Sequence, residues 1–121
     1  MKPIAPEERR VVNANTGTFK PFPNSDGSDS NTSVLQLDPS KPFGAGFHLF
    51  RMEPGSMSQA HEHMGLEQFY VVEGELIDND GTVYRQGDVV WLAPGTEHTS
   101  HSPGGAVIAV YSEGEERPVG A

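Results

Sequence analysis

Turn-forming residues recur along this chain too often for a long helix to run between them. Fourteen glycines and ten prolines are spread over 121 residues; proline breaks a helix interior and glycine weakens it. From residue 34 onward the intervening stretches are short and apolar-rich: 34–37, 43–52, 68–73, 75–77, 82–85, 89–92, 97–102 and 106–111. They are separated by Asp38-Pro39-Ser40, Glu53-Pro54-Gly55, Asp78-Asn79-Asp80-Gly81, Pro94-Gly95 and Pro103-Gly104-Gly105. Short strands with a turn signal roughly every 8–12 residues predict an all-β sandwich or barrel. The Asp-Gly pair after an alternating run predicts a hairpin at 78–81. No internal repeat and no second domain is visible. We therefore expect an irregular N-terminal arm over 1–33, a single β-domain over 34–112 and a C-terminal tail over 113–121. Phe19 and Phe22 flank the polar stretch of the arm and are placed to tack it onto the domain or onto a partner subunit.

The charge balance narrows the partners. Seventeen acidic against eight basic residues give a formal charge of −9, which repels phosphate backbones and anionic lipid. Nucleic acid and membrane are thus not expected as partners. The N-terminus lacks a signal-peptide core and no apolar run reaches membrane-spanning length, so the expected location is the cytoplasm. The chain has no cysteine; a metal site would have to use nitrogen and oxygen donors, which excludes thiolate zinc sites and iron–sulfur clusters.

The candidate donors lie in two places. His61 and His63 are two apart, so on a strand both rings point to one face. Glu67 follows after Met64-Gly65-Leu66, which can bend the chain back toward the same centre. His98 sits after the Pro94-Gly95 turn, in a run that a barrel could bring opposite. Imidazoles with a carboxylate suit a divalent first-row ion: iron(II), manganese(II), nickel(II), copper(II) or zinc(II). A His-x-His pair alone is more often a surface feature than a ligand pair.

The spacing goes further than the pair. Gly55, five residues, His61-x-His63, three residues, Glu67, six residues and Gly74 reproduce the first cupin motif; Gly87-Asp88, Pro94-Gly95 and His98 follow the second. On these residues the segment 34–112 resembles the cupin superfamily, in particular small single-domain, metal-binding members. The resemblance implies a double-stranded β-helix, the jelly-roll barrel of RmlC-like proteins. It also implies that His61, His63, Glu67 and His98 hold one metal ion per chain. Two positions depart from the pattern: Ala93 stands where a proline is usual, and Ser102 where asparagine is frequent. Neither is a ligand.

Other residues take their reading from this frame. Phe69 and Val71 share the face of Glu67 and would line the cavity. His48, Phe50 and Met52 share a face of their strand, which by analogy with other cupins turns inward. Gln59 and Met57 lie in the loop leading to His61, within reach of the barrel mouth. Trp91 would join His48, Phe50, Met52, Gln59 and Phe69 in lining the substrate pocket, or with Tyr111 close the barrel or pack between subunits. His101, at an odd offset from His98, reads as a surface residue, and Tyr84 and Arg85 as structural residues of a hairpin away from the motifs. Cupins commonly pair, so a homodimer is expected.

Four protein ligands leave room on a five- or six-coordinate ion for a small-molecule substrate. Glu67, held less rigidly than an imidazole, is the expected catalytic base. The resemblance is to the group containing diketone-cleaving dioxygenases and the sensor domains of some anti-sigma factors. The implied activity is a dioxygenase acting on an enolisable diketone, flavonol or phenolic compound. A non-catalytic metal or ligand sensor, and a metal-assisted isomerase or lyase on a sugar or organic acid, remain as alternatives. Fold alone does not choose among them.

Overall fold

The computed structural model describes residues 1–119, and strands dominate them. A single 3-10 turn at Pro6–Glu8 precedes twelve strands: β1 Lys20–Pro21, β2 Thr32–Gln36, β3 Gly46–Met52, β4 Ser56–Met57, β5 His61–His63, β6 Glu67–Asp78, β7 Val83–Arg85, β8 Val89–Leu92, β9 Glu97–His98, β10 Ser100–Ser102, β11 Ala106–Ser112 and β12 Glu116–Pro118. The chain is all-β, a curled sheet of the jelly-roll type.

One long strand ties the barrel together. β6 pairs along its first half with β8 on one side and β11 on the other; its second half pairs with β7 and β10. The sequence predicts two strands broken at Gly74, whereas the structure has one that bends there. Gly74 has φ +79°, and the β11 register shifts between Val107 and Ile108. This is a bulge-type corner, at which one strand passes from one layer to the next. From β6 the larger sheet continues through β11, β3 and β2 to β1.

A separate three-stranded sheet, β12-β5-β9, covers one end. Its registers set His61 opposite His98 and His63 opposite Glu116. The close approach that permits this depends on Gly65, where a Cβ would lie 2.9 Å from the backbone nitrogen of Gly114. Glu113 donates its N–H to the Leu66 carbonyl, and Met64 its N–H to the Glu115 carbonyl. Residues 113–118 thus return to the barrel, and β12 pairs with the strand bearing the His-x-His.

The core follows the alternation of side chains along β6 and β11. Glu67, Phe69 and Val71 are buried while Gln68, Tyr70 and Val72 are exposed. Met52, Phe69, Val71, Leu76, Ala106, Ile108 and Val110 form the central cluster, each large side chain contributing roughly 1.5–3 kcal/mol through burial. At the other end, Phe22 packs against Phe43 and Phe50, with ring centroids 5.6 and 6.2 Å away. The Arg51 guanidinium lies 3.8 Å from the ring centre of Phe19. Both aromatics of the N-terminal arm are therefore tacked onto the domain. No helix among the described residues is long and apolar enough to cross a membrane.

Candidate metal centre

β5 carries His61 and His63 on one face, β6 begins with Glu67, and β9 brings His98 directly across from His61. One ligand atom from each of these four residues lies within 4.8 Å of all the others. The three imidazole centroids are 4.6–4.9 Å apart. His61, His63 and Glu67 are buried, and the His98 side chain is 13 % exposed.

The outer nitrogens decide what the inner ones can do. His61 donates Nδ1–H to the Gln59 carbonyl at 2.7 Å. His63 donates Nδ1–H to Thr96 Oγ1 at 2.9 Å; that hydroxyl spends its own proton on the Ala93 carbonyl. His98 donates Nδ1–H to Asp78 Oδ2 at 3.0 Å. With each Nδ1 engaged as a donor, each neutral ring turns an Nε2 lone pair inward. The Nε2 atoms of His61 and His63 face each other at 3.2 Å. His63 Nε2 also abuts Glu67 Oε2, a buried oxygen with no hydrogen-bond partner. Lone pairs converging on a buried carboxylate oxygen repel one another, and a cation among them removes that repulsion. The residues fit one divalent metal ion.

The protonation states agree with this at His61 and Glu67, whereas Asp78 favours the charged form of His98. Burial pushes the pKa of His61 down to about 4, with the neighbouring His98 and His63 adding to the effect against the Gln59 carbonyl. Burial alone would raise the pKa of Glu67; contact with His63 and the potential of the three rings hold it below the usual carboxylate range. Burial likewise disfavours a charged His98, but the Asp78 carboxylate outweighs it and raises that pKa. A neutral His61 and an anionic Glu67 are the ligand forms a metal needs.

Three side chains at the site escaped the sequence reading. Asp78, at the end of β6, accepts hydrogen bonds from His98 through Oδ2, from the Tyr84 hydroxyl through the same oxygen at 2.7 Å, and from Ser100 through Oδ1 at 2.5 Å. Burial would raise its pKa, but these three donors lower it, so it remains an anion behind the ligand. Tyr84, expected to lie away from the motifs, is part of this network. Its pKa is raised by burial and by Asp78, which keeps the phenol a donor. Glu116 comes from β12, with Oε1 3.5 Å from His61 Nε2. Its side chain is still 31 % exposed; the crowding of protein around the carboxylate, then the charge of Glu67, raises its pKa.

His98 is the one ring whose Nδ1 rests on a carboxylate. Replacing Asp78 with asparagine keeps the shape but removes the charge, and should weaken metal binding roughly 10–100-fold. Competition against a coloured chelator would measure it; unchanged affinity would show that Asp78 supports only the fold.

The centre opens into a cavity of about 200 Å³. His61, Glu67, His98 and Glu116 line it together with Phe22, Val34, Gly44, His48 and Phe50. Met52, Gln59 and Phe69 also line it. Trp91 does not: it is 58 % exposed on the outer face, as is Met57 at 56 %. β8 pairs with β6 so that Trp91 stands opposite outward-facing Gln68, and Val90 opposite inward-facing Phe69. Tyr111 is likewise on the outside. His101 lies outside the four-residue cluster.

Comparison with known proteins gives the fold its relatives. Residues 7–115 match the family model of the ChrR cupin-like domain. A candidate acetylacetone dioxygenase from Methylibium petroleiphilum PM1 superposes with TM-score 0.76 and 19 % identity, covering 92 % of this chain and 81 % of that one. An acetylacetone dioxygenase from Acinetobacter johnsonii gives 0.72 and 18 %, covering 98 % and 82 %. The anti-sigma factor ChrR of Rhodobacter sphaeroides, solved with SigE, gives 0.65 and 17 %; the match covers 81 % of this chain but only 49 % of that one. No curated protein sequence matches the chain significantly.

Proposed function

The chain belongs to the ChrR cupin-like family, and from that premise we propose that it is a metal-dependent dioxygenase acting on a small, uncharged, enolisable diketone. The observation that carries the reading is the wall around the His-Glu cluster. The cavity holds about 200 Å³. A short diketone fits. No lysine or arginine lines the cavity, while Glu67 and Glu116 do. Away from the metal, a charged group on the substrate would find no lysine or arginine to pair with, which favours a neutral carbon acid.

A redox-active divalent ion, when bound by His61, His63, Glu67 and His98, supplies Lewis acidity toward carbonyl oxygens and electron exchange with dioxygen. The chain supplies the rest. Phe50, Phe69 and Val34 exclude water and so strengthen electrostatics near the cluster. Glu67 is assigned to take the proton from the carbon between the two carbonyls, whose electron pair passes into the adjoining carbonyl system. Asp78, Tyr84 and Ser100 hold the His98 ring in place.

The test uses anaerobically iron(II)-loaded protein in an oxygen electrode. Acetylacetone and benzoylacetone should each drive oxygen uptake matched by loss of enol absorbance, and oxalate and malonate none. Silence with every diketone, at confirmed iron occupancy, would overturn the enzyme reading in favour of a non-catalytic binding barrel.

A further inference from the structure

The cavity has a polar group besides the metal cluster. His48, on β3, is 5 % exposed and lines the same cavity, with the Glu67 carboxylate in electrostatic reach. Its Nδ1–H donates to the Gly46 carbonyl two residues back, at 3.1 Å. A neutral ring with Nδ1 protonated presents a bare acceptor at Nε2. Burial pushes the pKa of this histidine down, in keeping with the neutral ring.

The other polar side chains lining the cavity outside the metal cluster are all engaged. Ser30 and Thr32 bond each other and the Phe22 carbonyl. Ser25 and Gln59 bond each other. Ser58 donates to the Ser100 carbonyl, and Ser100 to Asp78. His48 Nε2 has no partner among the described residues. It is also absent from the sealed-off buried polar atoms, so it borders open space, and the open space beside the ring is the cavity. A buried acceptor without a donor is costly unless water or a ligand satisfies it.

We propose that His48 Nε2 is a specificity-determining acceptor for a hydroxyl group on the substrate, at the end opposite the carbonyl oxygens that address the metal cluster. The inference rests on the diketone reading and deepens it: the substrate class becomes an uncharged hydroxyalkyl diketone. An ammonium group is a poor occupant, because it has no lone pair to spare and cannot satisfy an Nε2 acceptor without burying a cation next to an apolar wall. The spacing follows from the sheet register. His48 lies opposite Val110, Val110 opposite Phe69, and Phe69 is two residues from Glu67. Two strand spacings and two residues amount to about 12 Å along the wall, less across the curled lumen. That distance suits a chain of a few carbons between the two ends.

The experiment is a binding titration on zinc-loaded full-length protein, in which no turnover competes. The probes are acetylacetone extended at one methyl by an ethyl, propyl or butyl chain, each paired with its terminal-hydroxyl counterpart. In the wild type, one hydroxyl length should bind about two- to twelvefold more tightly than its alkyl parent, the value of a neutral hydrogen bond. His48→Phe should erase that preference while still binding the parents, which also shows that the barrel is intact. His48→Gln, which keeps an acceptor, should retain part of it. Equal binding of every pair by the wild type, or an undiminished preference in His48→Phe, overturns the subsite and leaves the diketone reading standing. Failure of every parent and hydroxyl probe to bind overturns both.

Discussion

Alanine in place of His98 is expected to strip the metal from the protein and leave the barrel folded. The ring contributes one of three inward Nε2 atoms, and Asp78 holds that ring with a charge-assisted hydrogen bond. Losing a ligand should cost more than the roughly 10–100-fold associated with losing a supporting group behind one. His61→Ala should behave alike, because His61 faces His63 at 3.2 Å and pairs with His98 across β5 and β9. Neither ring belongs to the apolar cluster of Met52, Phe69, Val71, Leu76, Ala106, Ile108 and Val110, so the strand signal in circular dichroism should persist. Elemental analysis of wild type and variants purified side by side reads the result. Wild type should carry close to one ion per chain and each variant a small fraction. Full metal retention in both variants would remove the basis for the whole site.

The four proposed ligands were legible because their chemistry coincides with local geometry. His61 and His63 need only period-two alternation to share a face, and the spacing to Glu67 and Gly74 matches a known motif. Alternation along β6 likewise places Phe69 and Val71 with Glu67, as the burial of all three shows. Alternation fails where it has nothing to read. In Val89-Val90-Trp91-Leu92 every residue is apolar, so parity was undetermined until pairing with β6 turned Val90 and Leu92 inward and Trp91 out.

Long-range register hid the rest. Asp78 reads locally as the start of an Asp-rich turn, and Gly81 does form that turn, donating its N–H to the Asp78 carbonyl. Its contact with His98 spans twenty residues of sequence and exists because β6 pairs with both β7 and β10. That pairing also brings in Tyr84. Glu116 gave even less signal, lying in a polar stretch with no alternation. It reaches the site because 113–115 closes over Gly65 and adds a strand to β5. Searching that segment for a carboxylate would have found it, but with Glu113, Glu115 and Glu116 so close together, only the register to His63 chooses among them.

Gly74→Ala is expected to be the most damaging single substitution in the barrel, and the reason joins fold to function. An alanine Cβ at that position would lie 2.1 Å from the Gly105 oxygen, 2.8 Å from Ala106 Cα and 3.0 Å from the Gly105 carbonyl carbon. All three are backbone atoms of the segment paired with β6, so relief requires opening the sheet. The left-handed φ of +79° adds about 1–2 kcal/mol for a residue with a side chain. Gly81→Ala separates the two effects, since its φ of +87° is similar and nothing lies within 4 Å of the added carbon. The turn variant should lose only that 1–2 kcal/mol, lowering Tm by roughly 5 °C. The corner variant should lose more than about 4 kcal/mol, a large share of a total stability of order 5–15 kcal/mol. Any folded remnant should also bind metal poorly, because Gly74 sits between the half of β6 that begins with Glu67 and the half that ends with Asp78. Thermal melts followed by circular dichroism, with metal content measured on the soluble fraction, would check both consequences. Equal melting temperatures for the two variants would mean that the corner tolerates a side chain, and that something other than this close approach sets the bend.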